Sequence, residues 1–228
     1  MLTLENEQLL IKIATKGAEL QKIYNKQENF DYLWTGDPDF WGSHAPNLFP
    51  TIGRLNDYKY TKDGKTYELP QHGFAKDLEF EVAESSDTTA VFVLKSTDET
   101  KAMYPYNFSL AISYNLEGSK LKTTYQVTNE STETMPFSIG GHPAFNIPMN
   151  GEGTYDDYTL TIDPKKEVNY FESNPVPYRS GNKKPFKDME NGVLSMNHET
   201  FRDGLIIIDE PTIETVTLSS PNSKHGVT

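Results

Sequence analysis

The sequence predicts an all-β protein built mainly of antiparallel strands. Alternation with period two recurs along the chain, two short polar turns join alternating runs, and no stretch sustains the spacing of an amphipathic helix. Aromatic residues make up 12 % of the 228 residues against a hydrophobic total of 36 %, so large rings supply much of the apolar surface. The 13 tyrosines suit half-buried strands and, equally, the faces of sugars.

Taken in order, the N-terminal MLTLENEQLLIKIATKG alternates and carries charge, which predicts a first strand with Leu9–Ile13 as its core. It lacks the uninterrupted apolar region of a signal peptide, and no later stretch has the length and apolarity of a membrane-spanning helix. Residues 38–41 are short enough for a turn or two at most. Within residues 57–69 lies Asp63-Gly64, a preferred two-residue hairpin turn. The register follows: Lys62 faces Lys65, Tyr60 faces Tyr67, Lys59 faces Glu68 and Tyr58 faces Leu69, with aromatic and apolar pairs on one face and an opposite-charge pair on the other.

Strands are predicted at 79–82, 91–94, 108–116 and 121–127, the last two joined by the polar turn Glu117-Gly118-Ser119-Lys120. Residues 98–103 fit a turn or two of helix. Gly140-Gly141 follows the apolar Pro136-Phe137-Ser138-Ile139; Pro143 stops a helix there, so a strand end is expected, with the glycines supplying dihedrals closed to other residues. Residues 173–192, rich in proline, glycine and asparagine, read as a long irregular connection of the kind that forms lids and binding walls. A strand is predicted at 205–208. Beyond Ser219 a polar turn leads toward another strand just as the chain stops, so a single domain over 1–228, truncated at its C-terminus, is expected.

The net charge of −12 leaves no electrostatic footprint for a nucleic acid or an anionic membrane. Arginine, the usual fork for a phosphorylated ligand, occurs only as Arg54, Arg179 and Arg202, which favours a neutral small substrate. With no cysteine, disulfides, thiolate nucleophiles and cysteine-bound zinc are excluded. A soluble cytoplasmic protein is the expectation.

Four polar residues stand beside glycine and apolar neighbours: Arg54, His72, His142 and Asp203. Glycine lets a ligand approach, and apolar neighbours seat a side chain on a rigid strand end. Structural roles fit the same residues: an ion-pair partner at Arg54, a hairpin cap at His72, a satisfied hydrogen bond at His142 and a turn former at Asp203. The histidines lack metal-ligand spacing, no Gly-x-Ser-x-Gly elbow is present, and no glycine-rich loop opens a helix to hold phosphate. Acid/base chemistry or plain binding remains.

Gly-Gly-His-Pro-Ala-Phe-Asn at His142, Gln-His-Gly-Phe at His72 and Gly-Arg-Leu before the hairpin together resemble the galactose mutarotase (aldose 1-epimerase) family, in particular its LacX-type branch. The matching pattern runs from Asn47-Leu48-Phe49-Pro50 through Tyr104-Pro105-Tyr106-Asn107-Phe108 to Asp203-Gly204-Leu205-Ile206-Ile207. The resemblance implies a large β-sandwich with a hexose in an open cleft and no metal or organic cofactor. It gives His142 the proton exchange with the sugar ring oxygen, His72 an orienting hydrogen bond, and Arg54 and Asp203 contacts to hydroxyls. Trp34, Trp41 and Phe74 are candidates to stack on the sugar. The family's general base is a glutamate near the C-terminus; no residue up to Thr228 matches its motif, and Glu210 and Glu214 have the wrong setting. A non-catalytic sugar-binding protein on the same fold is the alternative.

Overall fold

Alternation at the N-terminus makes two strands, not the single one expected. β1 (Leu2–Glu5) and β2 (Leu9–Ile13) pair antiparallel. Asn6 turns the chain between them, its side-chain oxygen accepting from the N–H groups of Gln8 and Leu9 at 2.9 and 2.8 Å. β3 (Leu20–Asn25) and β4 (Phe30–Asp31) complete a four-stranded sheet in the order β1-β2-β3-β4. The computed structural model describes residues 1–173, 178–202 and 204–228, and these form two compact units, Met1–Phe145 and Asn146–Thr228.

In the first unit, β5 (Asn47–Leu48) precedes the hairpin β6 (Lys59–Lys62) and β7 (Lys65–Glu68), whose register is the predicted one. Asp63 and Gly64 both have positive φ, 50° and 76°, as a primed turn requires. Tyr60 and Tyr67 stack at 5.4 Å, Lys59 meets Glu68 at 3.3 Å across the other face, and Leu69 N–H donates to the Tyr58 carbonyl at 2.8 Å.

The second sheet contains β8 (Glu81–Ser85), β9 (Thr89–Lys95), β10 (Phe108–Glu117) and β11 (Lys120–Asn129) in the order β11-β10-β9-β8. β8 starts two residues later than predicted: Glu79 forms an isolated bridge with Lys16, and Phe80 N–H bonds the Thr15 carbonyl. Between β9 and β10, the one-turn helix α1 (Asp98–Met103) is held by a capping box from Thr97 and Thr100. β10 buries Phe108, Leu110, Ile112, Tyr114 and Leu116 and alternates as its sequence does. Those side chains share one core with Leu4, Ile11 and Ile13 of the first sheet and with Phe49, Phe74 and Tyr104.

A polar network pins this core beneath β5. Asn47, 3 % exposed, donates from Nδ2 to the carbonyls of Gly17 and Ala18, both at 3.0 Å, and to Tyr114 Oη at 3.1 Å. Its Oδ1 accepts from Tyr125 Oη at 2.7 Å, and Tyr114 Oη donates to the Ala18 carbonyl at 2.8 Å. Truncation strands several buried polar groups at about 1–3 kcal/mol each. Asn47→Ala is expected to lower stability by about 3 kcal/mol, read as a reduced urea midpoint with an unchanged slope. β12 (Gly140–Gly141) pairs with β5, setting Gly141 opposite Asn47 and making the strand end the glycines predicted.

In the second unit, β13 (Thr159–Asp163) is followed by β14 (Asn169–Ser173) and β15 (Arg179–Pro185), which pair with each other. β16 (Met189–Glu190), β17 (Val193–Ser195), β18 (Thr215–Ser219) and β19 (Gly226–Val227) join β13 in a sheet ordered β16-β17-β13-β18-β19. Ile162, Val168, Phe186, Met189 and Leu194 form its core.

Two expectations are corrected here. Residues 173–192 contain β15 and β16 where an irregular connection was expected; residues 174–177 lie outside the described residues. The strand predicted at 205–208 is reduced to one bridge, Ile207 to Phe171. Gly204, with φ +98°, turns the entry and Pro211 closes the exit, while Ile206 and Ile208 still pack on the core. The polar turn after Ser219 does lead into a strand, β19. Among the described residues no helix is long and apolar enough to cross a membrane.

Candidate active site

β12 delivers His142 to the surface of the first unit. The ring is exposed, and backbone bonds fix the chain on each side of it: His142 N–H donates to the Pro46 carbonyl at 3.0 Å, and Ala144 N–H to that of His44 at 2.9 Å. Neither Gly140 nor Gly141 has a left-handed φ, which corrects the expectation of special dihedrals. A Cβ at Gly141 would lie 3.0 Å from Tyr125 Oη, a tight contact to which the tyrosine hydroxyl, bonded to Asn47, would have to yield.

His72 comes from the reversal after β7, with φ +67°. Its conformation is locked by a reciprocal pair of bonds: His72 N–H donates to the Gly53 carbonyl at 2.8 Å, and Gly53 N–H donates to His72 Nδ1 at 3.0 Å. The two imidazoles meet edge to face with centroids 5.6 Å apart, and Trp41 lies 5.2 Å from His142 on a tilted plane. Both histidines and Trp41 line a cleft of about 340 Å³ with Glu19, Lys76 and Asp77.

Nδ1 of His72 accepts a backbone hydrogen bond, so the neutral ring carries its proton on Nε2. His72 is therefore a donor at Nε2; the Gln71 side-chain amide lies beside that atom at 3.3 Å and can accept from it only through its oxygen. Burial, then the charge of His142, then that of Lys76, hold the His72 pKa below its ordinary 6.5. A histidine lowered in the folded state takes up more protons when unfolded, so its contribution to stability is complete above about pH 6.5 and is lost as pH falls toward the folded value. Wild type is expected to lose more thermal stability than His72→Gln between pH 7 and pH 5, measured by thermal melts of both proteins across that range.

Other candidates are distributed less simply. Arg54 follows Gly53, but its guanidinium lies on Tyr58, with Nη1 donating to Tyr58 Oη at 3.3 Å, and it is not among the residues lining the cleft. Phe74 is 2 % exposed and packs against Phe49, Tyr104 and Phe108, so its ring belongs to the core and not to a sugar-facing wall. Trp34 donates from Nε1 to the Trp41 carbonyl at 2.8 Å and so backs the ring that does line the cleft. Asp203 lies outside the described residues. Glu19, Lys76 and Asp77 were not singled out in the sequence; no local motif marks them, and only the fold brings them to the histidines.

The aldose 1-epimerase family model matches residues 1–223. The chain belongs to the aldose 1-epimerase family. Within it, the plasmid and chromosomal LacX proteins of Lactococcus lactis subsp. lactis are each 33 % identical, over 98 % of this chain and 77 % of their own length. A galactose mutarotase-like protein from Lactobacillus casei ATCC 334 superposes with a TM-score of 0.94 at 40 % identity, covering 99 % of this chain and 77 % of that one. A galactose mutarotase related enzyme from Lactobacillus acidophilus gives 0.92 at 31 % identity, over 99 % of this chain and 75 % of its own. The fold of this aldose 1-epimerase family member is thus the galactose mutarotase-like one, on the LacX branch, as the ordered motifs around His72 and His142 imply.

Proposed function

We propose that this protein is an aldose 1-epimerase that interconverts the α and β anomers of a free hexose by acid/base ring opening. The observation that carries the reading is the meeting of His72 and His142 at 5.6 Å in one cleft, beside Trp41. In the forward step a base takes the anomeric hydroxyl proton, the bond from C1 to the ring oxygen breaks, and His142 protonates that oxygen. Rotation about C1–C2 and closure with roles reversed give the other anomer. Histidine, with an ordinary pKa of about 6.5, can exchange this proton near neutral pH.

His72 donates from Nε2 and orients a sugar oxygen, and Trp41 offers its face to the sugar C–H surface. Arg54 and Asp203 are assigned hydroxyl contacts by the family resemblance alone. Residues 1–228 act as one domain in this proposal, in the cytoplasm, with a small sugar as partner and neither nucleic acid nor membrane. A phosphorylated hexose is disfavoured because Lys76 is already paired with Asp77 at 2.5 Å and arginine is scarce.

The test is polarimetry of freshly dissolved α-glucose and α-galactose with the wild-type protein. Acceleration above the buffer rate supports the enzyme. The second reading, a sugar-binding protein on the same fold, is favoured by the state of the cleft carboxylates: Glu19 accepts two backbone N–H bonds and Asp77 pairs with Lys76. Heat of binding without acceleration would establish that reading instead.

A further inference from the structure

Glu19 lines the cleft, yet its carboxylate is turned to the backbone. Oε1 accepts from His44 N–H at 2.8 Å and Ala45 N–H at 3.0 Å, while Oε2 accepts from Gln21 Nε2 at 3.0 Å. Backbone bonds to an ionised carboxylate are about twice as strong as neutral ones, so this side chain anchors residues 44 and 45, which belong to no helix or strand. The same short segment supplies the carbonyls that fix His142: His44 O takes Ala144 N–H at 2.9 Å and Pro46 O takes His142 N–H at 3.0 Å.

We infer that Glu19 is a positioning residue for His142, acting through the 44–46 segment. Both carboxylate oxygens of Glu19 are engaged by donors of the protein itself, so the side chain is turned to the 44–45 backbone and to Gln21 and not toward a ligand in the cleft. Its influence on His142 is geometric: when the amides of 44 and 45 are released, the two carbonyls that flank the ring lose their fixed position.

The inference rests on the proposed mutarotation, so the test has two arms. The first follows kcat and KM for α-glucose by polarimetry. Glu19→Gln, whose side-chain oxygen still accepts both N–H groups, is expected to keep kcat within about threefold; Glu19→Ala is expected to lower it at least tenfold with KM changed less than threefold. The second arm needs no activity: the ring resonances of His142, assigned by their loss in His142→Gln, are expected to shift in Glu19→Ala and to stay in place in Glu19→Gln.

If wild type fails to accelerate mutarotation, the functional reading falls while the resonance arm still decides the positioning role. Unmoved His142 resonances in Glu19→Ala overturn the inference. A Gln variant as damaged as the Ala variant also overturns it, because charge and not anchoring would then matter. Should Glu19→Ala fail to fold, Glu19→Leu fills the volume without an acceptor and is expected to show the same loss; unfolding of both would assign Glu19 to the fold alone.

Discussion

Replacing His142 with alanine is expected to reduce kcat for mutarotation by about 10²- to 10⁴-fold, the usual contribution of a positioned acid/base group. Stability is expected to change little. The residue is exposed, its ring meets those of His72 and Trp41 among the described residues, and the backbone bond from residue 142 to the Pro46 carbonyl survives truncation. The fall should therefore appear in kcat at nearly constant KM, by polarimetry, with a thermal midpoint close to wild type. An unchanged rate would remove His142 from proton transfer.

Gly73→Ala is expected to have the largest effect on the fold. Gly73 has φ +72°, and a Cβ built on it would lie 2.2 Å from the Phe49 carbonyl oxygen, 2.4 Å from its carbon and 2.6 Å from Pro50 N. All three are backbone atoms, so no side-chain rotation relieves the clash. The Phe49 oxygen also accepts from Phe74 and Ala75 N–H at 3.1 Å, so any displacement breaks those bonds in a core of packed rings. Left-handed strain and a forced backbone shift together should cost about 3 kcal/mol or more. Urea denaturation measures it, and a loss below about 1 kcal/mol would contradict the geometry. Because His72 is the preceding residue, the protein that remains folded should also show a weakened site.

The two substitutions differ in how visible their targets are in the sequence. The hairpin around Asp63-Gly64 is legible to the residue, since the turn chemistry is local and a one-residue slip would misplace Tyr60 and Tyr67. β9, β10 and β11 are legible for a similar reason, a clean alternation over one buried face. The split of the N-terminal run into β1 and β2 depends on a single residue, Asn6, whose side chain replaces backbone partners, and alternation continues on both sides of it. Residues 179–185 lack any alternation, because every residue of β15 is exposed and pairing with β14 alone makes it a strand.

At the site, motifs beside glycine point to His72 and His142, which the fold brings together. They do not report direction. Phe74 sits in the same motif as His72 and faces the core. Glu19 has no motif at all, since its two backbone partners, His44 and Ala45, lie 25 and 26 residues along the chain and meet it only through the fold.

The bond from Gly53 N–H to His72 Nδ1 divides the labour between the two rings more sharply than their similarity suggests. A ring whose basic nitrogen is engaged by an amide, and whose pKa burial already lowers, takes up a proton less readily than a free imidazole. In the proposed mutarotation His72 would keep its Nε2 hydrogen through every turnover, lending it to a sugar oxygen, while His142 would give its own up and take it back. On that basis the ionisation of His72 should enter the pH dependence of the rate only below the range of an ordinary histidine.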